Sequence, residues 1–491
     1  MDEQRYAQAI RNVTQVWVWT VPALFVVLVL LGLALRANQA GIINADADYF
    51  YAVMTLHGLG MAGTAFVAGF AGMTYLLARY VRVNLTIAWT MYVMTVLGVV
   101  GLLIACLIGK FGAGWYLLYP LPFAGNGVWP DWAVALAVVS LIVLGVAWLL
   151  GQIDVFRAIV TEYGLRNALA WQYLGKGGAV KTEIPPIVLI ATAGCLVPGI
   201  LTTIDGAVLL MLYLLKWFNP ALTLNALLLK NMVFLWGHTL VNITMYLGLA
   251  MVYELLPRYS GRPWKTNSIV AIAWNAVLFL VLLAFLHHLY MDFAQSDTLQ
   301  YVGQLASYFS AIPATAVTVF GVIGQVYRSG KPWRFVSLSF YLGIVGWVLG
   351  GFAAVVDSTI AVNFVFHNTM WVPAHFHTYF LAGYFLILWG FFYEFSGATR
   401  ENLAKAALWL LVVGAYGFLF MFYLGGALGV PRRFAAYGSI PLNSLAALSE
   451  HTGGTASAFV VVLLVGLLLL FGVIYAGLAR RAPAAAASSG Q

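Results

Sequence analysis

Twelve long apolar runs constrain the fold of this chain more than any other feature of its sequence. Each has about the 20 residues that a helix needs to cross a bilayer. Backbone groups in lipid must pair internally, and runs this long indicate helices rather than the short alternating strands of a membrane barrel. The predicted fold is therefore an all-α integral membrane bundle of twelve helices. The runs lie at 17–35, 51–78, 86–109, 132–151, 186–214, 222–255, 268–290, 302–325, 336–356, 371–393, 404–426 and 456–479.

The composition agrees with a chain that lies mostly in lipid. Of its 491 residues, 63% are hydrophobic and only 8% are charged, whereas a soluble domain carries about 25% charged residues. No polar stretch is long enough for a soluble domain, so residues 1–491 are predicted to form one unit. Cys106 and Cys195 lie in separate apolar runs without a CxxC or CxxCH motif, which predicts neither disulfides nor a c-type haem nor a Cys-ligated copper site.

Basic residues predict the orientation of the bundle. With the N-terminus inside, 18 of the 24 Lys and Arg residues fall on the cytoplasmic side, as the positive-inside rule requires. Both termini are then cytoplasmic, and the N-terminus shows no cleavage site of a removable signal peptide. The net charge of +8 follows from this bias, so lipid is the expected partner and nucleic acid is not. The basic residues left outside are Arg36, Lys110, Lys216, Lys230, Arg432 and Arg433.

Six of the eight histidines lie within the predicted spans, all in the outer half of the membrane. Ionisable groups in lipid are costly and usually functional, and neutral imidazole is the commonest metal ligand. A lone buried histidine such as His57 or His238 is more often a hydrogen-bonded core residue. Neighbours on a helix diverge by about 100°, so His287 and His288 can share one ion only at a corner of the bundle.

The motif His375-Phe376-His377 is more informative than any single histidine. Residues two apart on a helix point about 200° apart, so one metal ion cannot use both imidazoles. A helix between two haems can give each histidine to a different iron. The rival interpretation is a transporter whose histidines relay protons, and a haem absorption spectrum would distinguish the two.

Together these motifs resemble subunit I of the haem–copper oxidase superfamily. WGH in the sixth run, HH in the seventh, HNTMWVPAHFH entering the tenth and PRR after the eleventh occur in the order of that family. HNTMWVPAHFH is most similar to the B-type branch. The resemblance covers essentially the whole chain. It implies a single catalytic subunit of a respiratory electron-transport chain, in the inner membrane of a prokaryote, with its active site toward the outer face.

The resemblance implies a role for each of the six membrane histidines. His57 and His377 would be the axial ligands of a low-spin haem. His375 would be the proximal ligand of a high-spin haem. The remaining three would hold a second metal that faces the high-spin haem: His238, His287 and His288.

Other polar residues are assigned by the same resemblance. Arg432 and Arg433 would pair with haem propionates, because guanidinium groups suit carboxylates; a plain juxtamembrane basic pair is the alternative. His367 and Asp292 would belong to the polar region above the propionates. His451 matches no family motif and is predicted to be a solvated loop residue.

Position 242 departs from the family pattern. In A- and B-type oxygen reductases a tyrosine follows the ligand of the sixth span by four residues and supplies an electron and a proton for splitting O–O. Asn242 occupies that place, on the same helix face as His238, and a carboxamide cannot act as a phenol does. The corresponding C-type position holds Phe285, and Tyr246 and Tyr290 fit neither place well.

The familiar c-type nitric oxide reductases have a glutamate four residues after the histidine ligand of the sixth span, the place of Asn242 here. That glutamate binds non-haem iron. Three imidazoles without a carboxylate favour copper over iron. The superfamily contains divergent nitric oxide reductases in which the tyrosine is replaced. Reduction of two NO to nitrous oxide needs two electrons, which a haem–metal pair can store without a tyrosyl radical. The expected function is nitric oxide reduction, as in denitrification, with Asn242 orienting bound NO; the alternative is a proton-translocating oxidase that reduces oxygen to water.

Protons and electrons must reach such a centre. Tyr253, Glu254, Thr315 and Thr318 could form an inward-facing proton path, or else serve only as interhelical hydrogen bonds. No CuA or c-haem motif is present, so electrons are expected to come from a partner subunit with CuA or a c-type haem, with quinol as the alternative donor.

Overall fold

The computed structural model describes residues 1–175, 182–436 and 443–481, and this part of the chain contains twelve helices long and apolar enough to cross a membrane. The prediction of an all-α bundle of twelve spans is confirmed. Two of the predicted cytoplasmic basic residues, Lys176 and Lys181, lie outside the described residues. In chain order the helices are α1 (Glu3–Gln39), α2 (Ala47–Leu77), α3 (Leu85–Ile108), α4 (Asp131–Tyr163), α5 (Pro186–Phe218), α6 (Ala226–Ser260), α7 (Ser268–Leu289), α8 (Asp297–Val326), α9 (Phe335–Asp357), α10 (Trp371–Ser396), α11 (Glu401–Ala427) and α12 (Ala447–Arg480).

Several helices begin at a side chain that satisfies free backbone N–H groups. Asn84 caps α3, Asn225 caps α6 and Asn267 caps α7, each accepting from an N–H of the first turn, which is the usual role of asparagine there. The 35 residues of α6 extend for about 50 Å. This helix therefore projects well beyond the hydrocarbon core of about 30 Å.

Two local irregularities fall beside predicted ligands. The last turn of α7, Phe285–Leu289, is a 3-10 helix and carries His287 and His288. In α10 a π-helical segment, Thr378–Tyr384, begins directly after His377. Such departures from α-helical geometry often mark functional positions because they re-aim side chains.

Helices α6 and α10 lie at the centre of the bundle, where 83% and 78% of their apolar windows are buried, whereas only 22% of that of α8 is buried. Glycines allow the neighbours of α10 to approach it closely: a Cβ at Gly346 of α9 or at Gly426 of α11 would overlap the α10 backbone. Small residues at helix contacts are typical of membrane bundles, where apolar burial alone favours association little. The central position of α10 places its two histidines deep in the fold.

Candidate metal and haem site

An internal cavity of about 680 Å³ runs through the bundle between α1, α2 and the helices from α5 to α12. Asn242, Arg432 and Arg433 line it. All six membrane histidines line it too, so residues distant in sequence meet around one space. These are His57, His238, His287, His288, His375 and His377.

Three of these histidines form one compact group. The ring centroid of His238 lies 4.9 Å from that of His287 and 5.3 Å from that of His288, and the adjacent pair is 4.3 Å apart. One nitrogen from each ring lies within 4.8 Å of the others. Metal–imidazole bonds of about 2.0–2.1 Å allow donors to lie about 4.2 Å apart, so small ring movements would close this group on one ion. The donor set is three neutral nitrogens, which suits copper.

Hydrogen bonds fix which nitrogen of His287 faces the cavity. The hydroxyl of Ser307 on α8 lies 2.6 Å from the Gly303 carbonyl, to which it can donate, and 2.9 Å from Nδ1 of His287. With its hydrogen used in this way, the hydroxyl accepts the Nδ1–H. The Nε2 lone pair is then free for a metal, which is how second partners commonly orient metal-binding histidines.

The same arrangement recurs at two other histidines. Nδ1 of His57 lies 2.9 Å from the Leu28 carbonyl, and Nδ1 of His377 lies 2.7 Å from the Pro373 carbonyl. A carbonyl only accepts, so both rings carry their hydrogen on Nδ1 and leave Nε2 unprotonated. Both are therefore suited to bind haem iron through Nε2.

The two histidines of the HFH motif face different groups. The ring of His377 lies 5.5 and 5.8 Å from the rings of Phe418 and Phe422 on α11, whereas the ring of His375 lies 5.3 Å from that of Tyr379 on its own helix. The two imidazoles of α10 therefore have different surroundings, as one ligand for each of two haems requires, and the assignment of each to a haem stays a prediction.

The arginine pair lies against the segment that leads into α10. The Arg432 N–H donates to the Asn368 carbonyl at 2.8 Å, and the Arg433 guanidinium lies 4.0 Å from the centre of the Tyr116 ring. Burial, together with repulsion from Arg433, lowers the pKa of Arg432 to about 9, and burial also lowers the pKa of Arg433. Nε of Arg432 is buried without a hydrogen-bond partner among the described residues. Two adjacent cations with an unused donor fit an anionic group such as a haem propionate.

The remaining predicted polar residues have mixed outcomes. His367 lines the cavity, and its Nδ1 lies 3.1 Å from the Asn363 side-chain oxygen; burial lowers its pKa to about 4, so its ring is neutral. Asp292 forms an ion pair with Lys230 at 2.7 Å. The loop assignment of His451 is wrong, because α12 begins before this residue, although its side chain is exposed.

Part of the predicted proton path is brought together. The hydroxyl of Tyr253 lies 3.1 Å from that of Thr318, both residues are buried, and Thr315 lines the cavity one turn away on α8. Glu254 is not part of this group. Its carboxylate accepts from the Tyr80 hydroxyl at 3.1 Å and pairs with two arginines at 3.4 Å, because adjacent residues of a helix diverge by about 100°.

Ser307 and Lys230 were not predicted as site residues. Ser307 gives no signal in the sequence, since membrane helices commonly contain serines that bond their own backbone. Lys230 does give one: it is a lone cation at the beginning of an apolar helix, eight residues before His238.

Comparison with known proteins decides the family. Residues 12–453 match the family model described as cytochrome c and quinol oxidase polypeptide I. The chain belongs to this family, whose members are the subunits I of haem–copper oxidases. The recognition made from the histidine motifs is thereby confirmed, whereas the finer assignment to a divergent nitric oxide reductase stays a prediction.

Several curated proteins align with most of this chain. A probable cytochrome c oxidase subunit 1 of Bradyrhizobium diazoefficiens is 27% identical over 70% of this chain and 51% of its own length. Cytochrome c oxidase subunit 1 of Thermus thermophilus is 25% identical over 78% and 69%, and ubiquinol oxidase subunit 1 of Acetobacter aceti is 25% identical over 70% and 51%. The aligned part thus spans about half the length of the Bradyrhizobium and Acetobacter proteins.

The fold agrees with a solved structure. A chain of a heme-copper terminal oxidase dimer, determined by cryo-electron microscopy, superposes with a TM-score of 0.79, covering 96% of this chain and 84% of that chain at 19% sequence identity. At this identity the similarity concerns the fold. The haem–copper oxidase subunit I architecture expected from the motifs is the one observed.

Proposed function

We propose that this chain is the catalytic subunit of a terminal reductase that converts nitric oxide to nitrous oxide. The observation that carries the proposal is Asn242. Its side-chain nitrogen lies 3.2 Å from Nε2 of His238, at the position where the oxygen reductases of the family pattern have a redox-active phenol.

The proposed cofactors follow from the donor sets. His57 and His377 would bind a low-spin haem, and His375 would bind a high-spin haem. When bound, these groups would supply the electrons and the place where a small gaseous substrate reacts. The three clustered histidines would hold copper, since no carboxylate belongs to their group in the described part of the chain: His238, His287 and His288.

Asn242 is suited to orienting a substrate and not to electron transfer. Its side-chain N–H donates to the His238 carbonyl at 2.8 Å. A carboxamide has a second N–H and an accepting oxygen, and Asn242 lines the cavity. These groups can align a diatomic molecule beside His238. The alternative is that the Asn242 side chain only bonds its own helix, in which case its replacement would leave substrate turnover unchanged.

In the described part of the chain, no tyrosine ring contacts the three clustered histidines. The described ring contacts of the three clustered histidines are with one another and with Phe234. Tyr246 lies eight residues beyond His238, about 12 Å along the helix, and its ring packs on Trp274. Nitric oxide reduction does not require a phenol, because 2 NO + 2 e⁻ + 2 H⁺ gives N₂O + H₂O.

Tyr253, Thr318 and Thr315 are the proposed proton path. The buried hydroxyls of Tyr253 and Thr318 lie 3.1 Å apart, and Thr315 continues along α8 to the cavity. The predicted orientation puts Tyr253 near the cytoplasmic end of α6 and the histidines in the outer half of the membrane. Electrons would come from a partner subunit with CuA or a c-type haem, or from quinol.

Oxygen reduction is the second candidate function. It is favoured by the names of the relatives, which are cytochrome c and ubiquinol oxidases. A proton-translocating oxidase would need a phenol, and Tyr246, which lines the same cavity, would be the residue to examine.

The deciding experiment measures nitrous oxide formation and oxygen uptake by the purified complex with one electron donor. We expect faster turnover with nitric oxide, and an unmodified mass for the α6 peptide that contains His238. Asn242→Leu should lower nitric oxide turnover about tenfold, the effect of losing one hydrogen bond of roughly 1.4 kcal/mol. Ser310→Ala is the control, because Ser310 also lines the cavity but its hydroxyl bonds its own helix. High oxygen uptake with negligible nitrous oxide would contradict the proposal.

A further inference from the structure

Two charged side chains connect the helices that carry the three clustered histidines. Lys230 lies on α6 eight residues before His238, and Asp292 lies four residues after His288. Nζ of Lys230 is 2.8 Å from one carboxylate oxygen of Asp292 and 2.7 Å from the other. The side chains are only 24% and 22% exposed, so solvent and salt screen this pair less than a surface ion pair.

A second bond joins the same two segments. The side-chain nitrogen of Gln295 donates to the side-chain oxygen of Asn231 at 3.2 Å. Adjacent residues of α6 therefore both hold the turn between α7 and α8. That turn is closed by the Asp292 N–H, which donates to the Leu289 carbonyl at 2.9 Å. The links act directly on the end of α7 that carries the histidine pair.

Apolar packing at this corner of the bundle is sparse. A small cluster of Phe234, Leu286 and Leu289 lies apart from the main core, and the Phe234 ring stacks on that of His288 with centroids 4.7 Å apart. Helices in lipid gain little from apolar burial. With so few apolar contacts, the polar links contribute a larger part of the force that holds α6 and α7 in register.

On its other side, the end of α7 is held by α8. Ser307 accepts from His287, and a Cβ at Gly303 would lie 2.7 Å from Cβ of Leu286, so the two backbones are in close contact. Loss of the ion pair would therefore leave the α7–α8 contact in place. It would loosen the outer part of α6, which carries His238, relative to the other two imidazoles.

We infer that the Lys230–Asp292 ion pair positions the second metal, because it sets the separation between His238 and the histidine pair of α7. The inference rests on the metal ligands proposed above and adds two positioning residues to them. Residues that orient metal ligands without touching the metal change its affinity by about 10- to 100-fold. Neither side chain is expected to act on the low-spin haem.

The test measures copper retention in the purified complex with Lys230→Met or Asp292→Asn, each of which removes one charge and roughly keeps the side-chain length. We expect copper to be lost to a chelator about tenfold faster, while the low-spin haem spectrum is unchanged. Lys230→Arg keeps the positive charge and should retain copper as the parent does. Combining Lys230→Asp with Asp292→Lys rebuilds the pair with its charges exchanged and should restore retention. Lys110→Met is the matched control, because it removes a cation from the ion pair with Asp48, away from the clustered histidines.

Copper loss at the parent rate in both single variants would overturn the inference. Equal loss of haem and copper would also overturn it, since that result indicates general unfolding. A parent complex that contains no non-haem metal would instead refute the proposed ligand set. The two failures are therefore distinguishable.

Discussion

Gly32 of α1 lies directly against the imidazole of His57, and this contact gives a sharp test of the low-spin haem assignment. A Cβ at Gly32 would lie 2.7 Å from Cε1 of His57 and 3.2 and 3.3 Å from the two ring nitrogens. Ordinary contacts begin at about 3.4 Å, so Gly32→Ala must move the ring by roughly 0.7 Å in a closely packed interior. That movement is large enough to break the bond from Nδ1 to the Leu28 carbonyl, which is 2.9 Å long.

The magnitude follows from two terms. Overpacking of a buried position costs about 1–3 kcal/mol, and the lost hydrogen bond adds about 1 kcal/mol. Together they oppose binding of the low-spin haem by about 2–4 kcal/mol, which is a weakening of roughly 30- to 1,000-fold. The high-spin haem is not expected to be affected, because its proposed ligand is His375, whereas a Cβ at Gly32 meets the ring of His57.

The assay is the optical spectrum of the purified complex, with haem content determined separately. We expect Gly32→Ala to lose the low-spin signal and one of two haems, while the high-spin signal persists. Gly145→Ala is the control: the same substitution is made within a span, but its Cβ meets nothing within 4 Å. An intact bis-histidine spectrum in Gly32→Ala at full haem content would refute the assignment of His57.

Three further outcomes are expected. His377→Ala should erase the low-spin signal and keep the high-spin one, and a retained bis-histidine spectrum would contradict this. Elemental analysis should give two irons and one copper per chain; three irons without copper would show that the second metal is iron. Tyr253→Phe removes the hydroxyl that meets Thr318 and should slow turnover by roughly 100-fold or more with unchanged spectra, whereas Glu254→Gln should not slow it. Equal rates for the last two variants would count against the proposed path.

The spans could be predicted because lipid imposes one strong condition on sequence, but their ends could not. The first run begins at residue 17, whereas α1 begins at Glu3, where the Asp2 side chain accepts from the Arg5 N–H at 2.8 Å. Polar turns of this kind continue a helix into water without any hydropathy signal. The same reason explains His451, which follows Glu450 near the beginning of α12, before the apolar run.

The six membrane histidines could also be singled out from the sequence, because ionisable groups inside a membrane are costly and usually functional. Their supporting contacts could not be predicted. Ser307 could bond any nearby carbonyl, and only the packing of α8 against α7 brings it to His287. Glu254 adjoins Tyr253 in sequence, yet the turn of the helix sends it to Tyr80. Partners that are distant in sequence are decided by tertiary packing, which residue type does not encode.

Asn242 can form hydrogen bonds, as a phenol does, but it cannot donate an electron as a phenol can. In the oxygen reductases of the family pattern, the residue at this position gives up both an electron and a proton. A carboxamide keeps hydrogen-bonding groups but has no accessible oxidation, so the site can still orient a substrate while the two metal centres must supply every electron. A reaction that needs two electrons can take one from each metal of the proposed pair, whereas oxygen, which takes four, would have to draw further electrons from the low-spin haem. Asn242 is therefore the position at which the proposed chemistry departs from the family pattern, whereas the six histidines that line the same cavity follow that pattern in sequence.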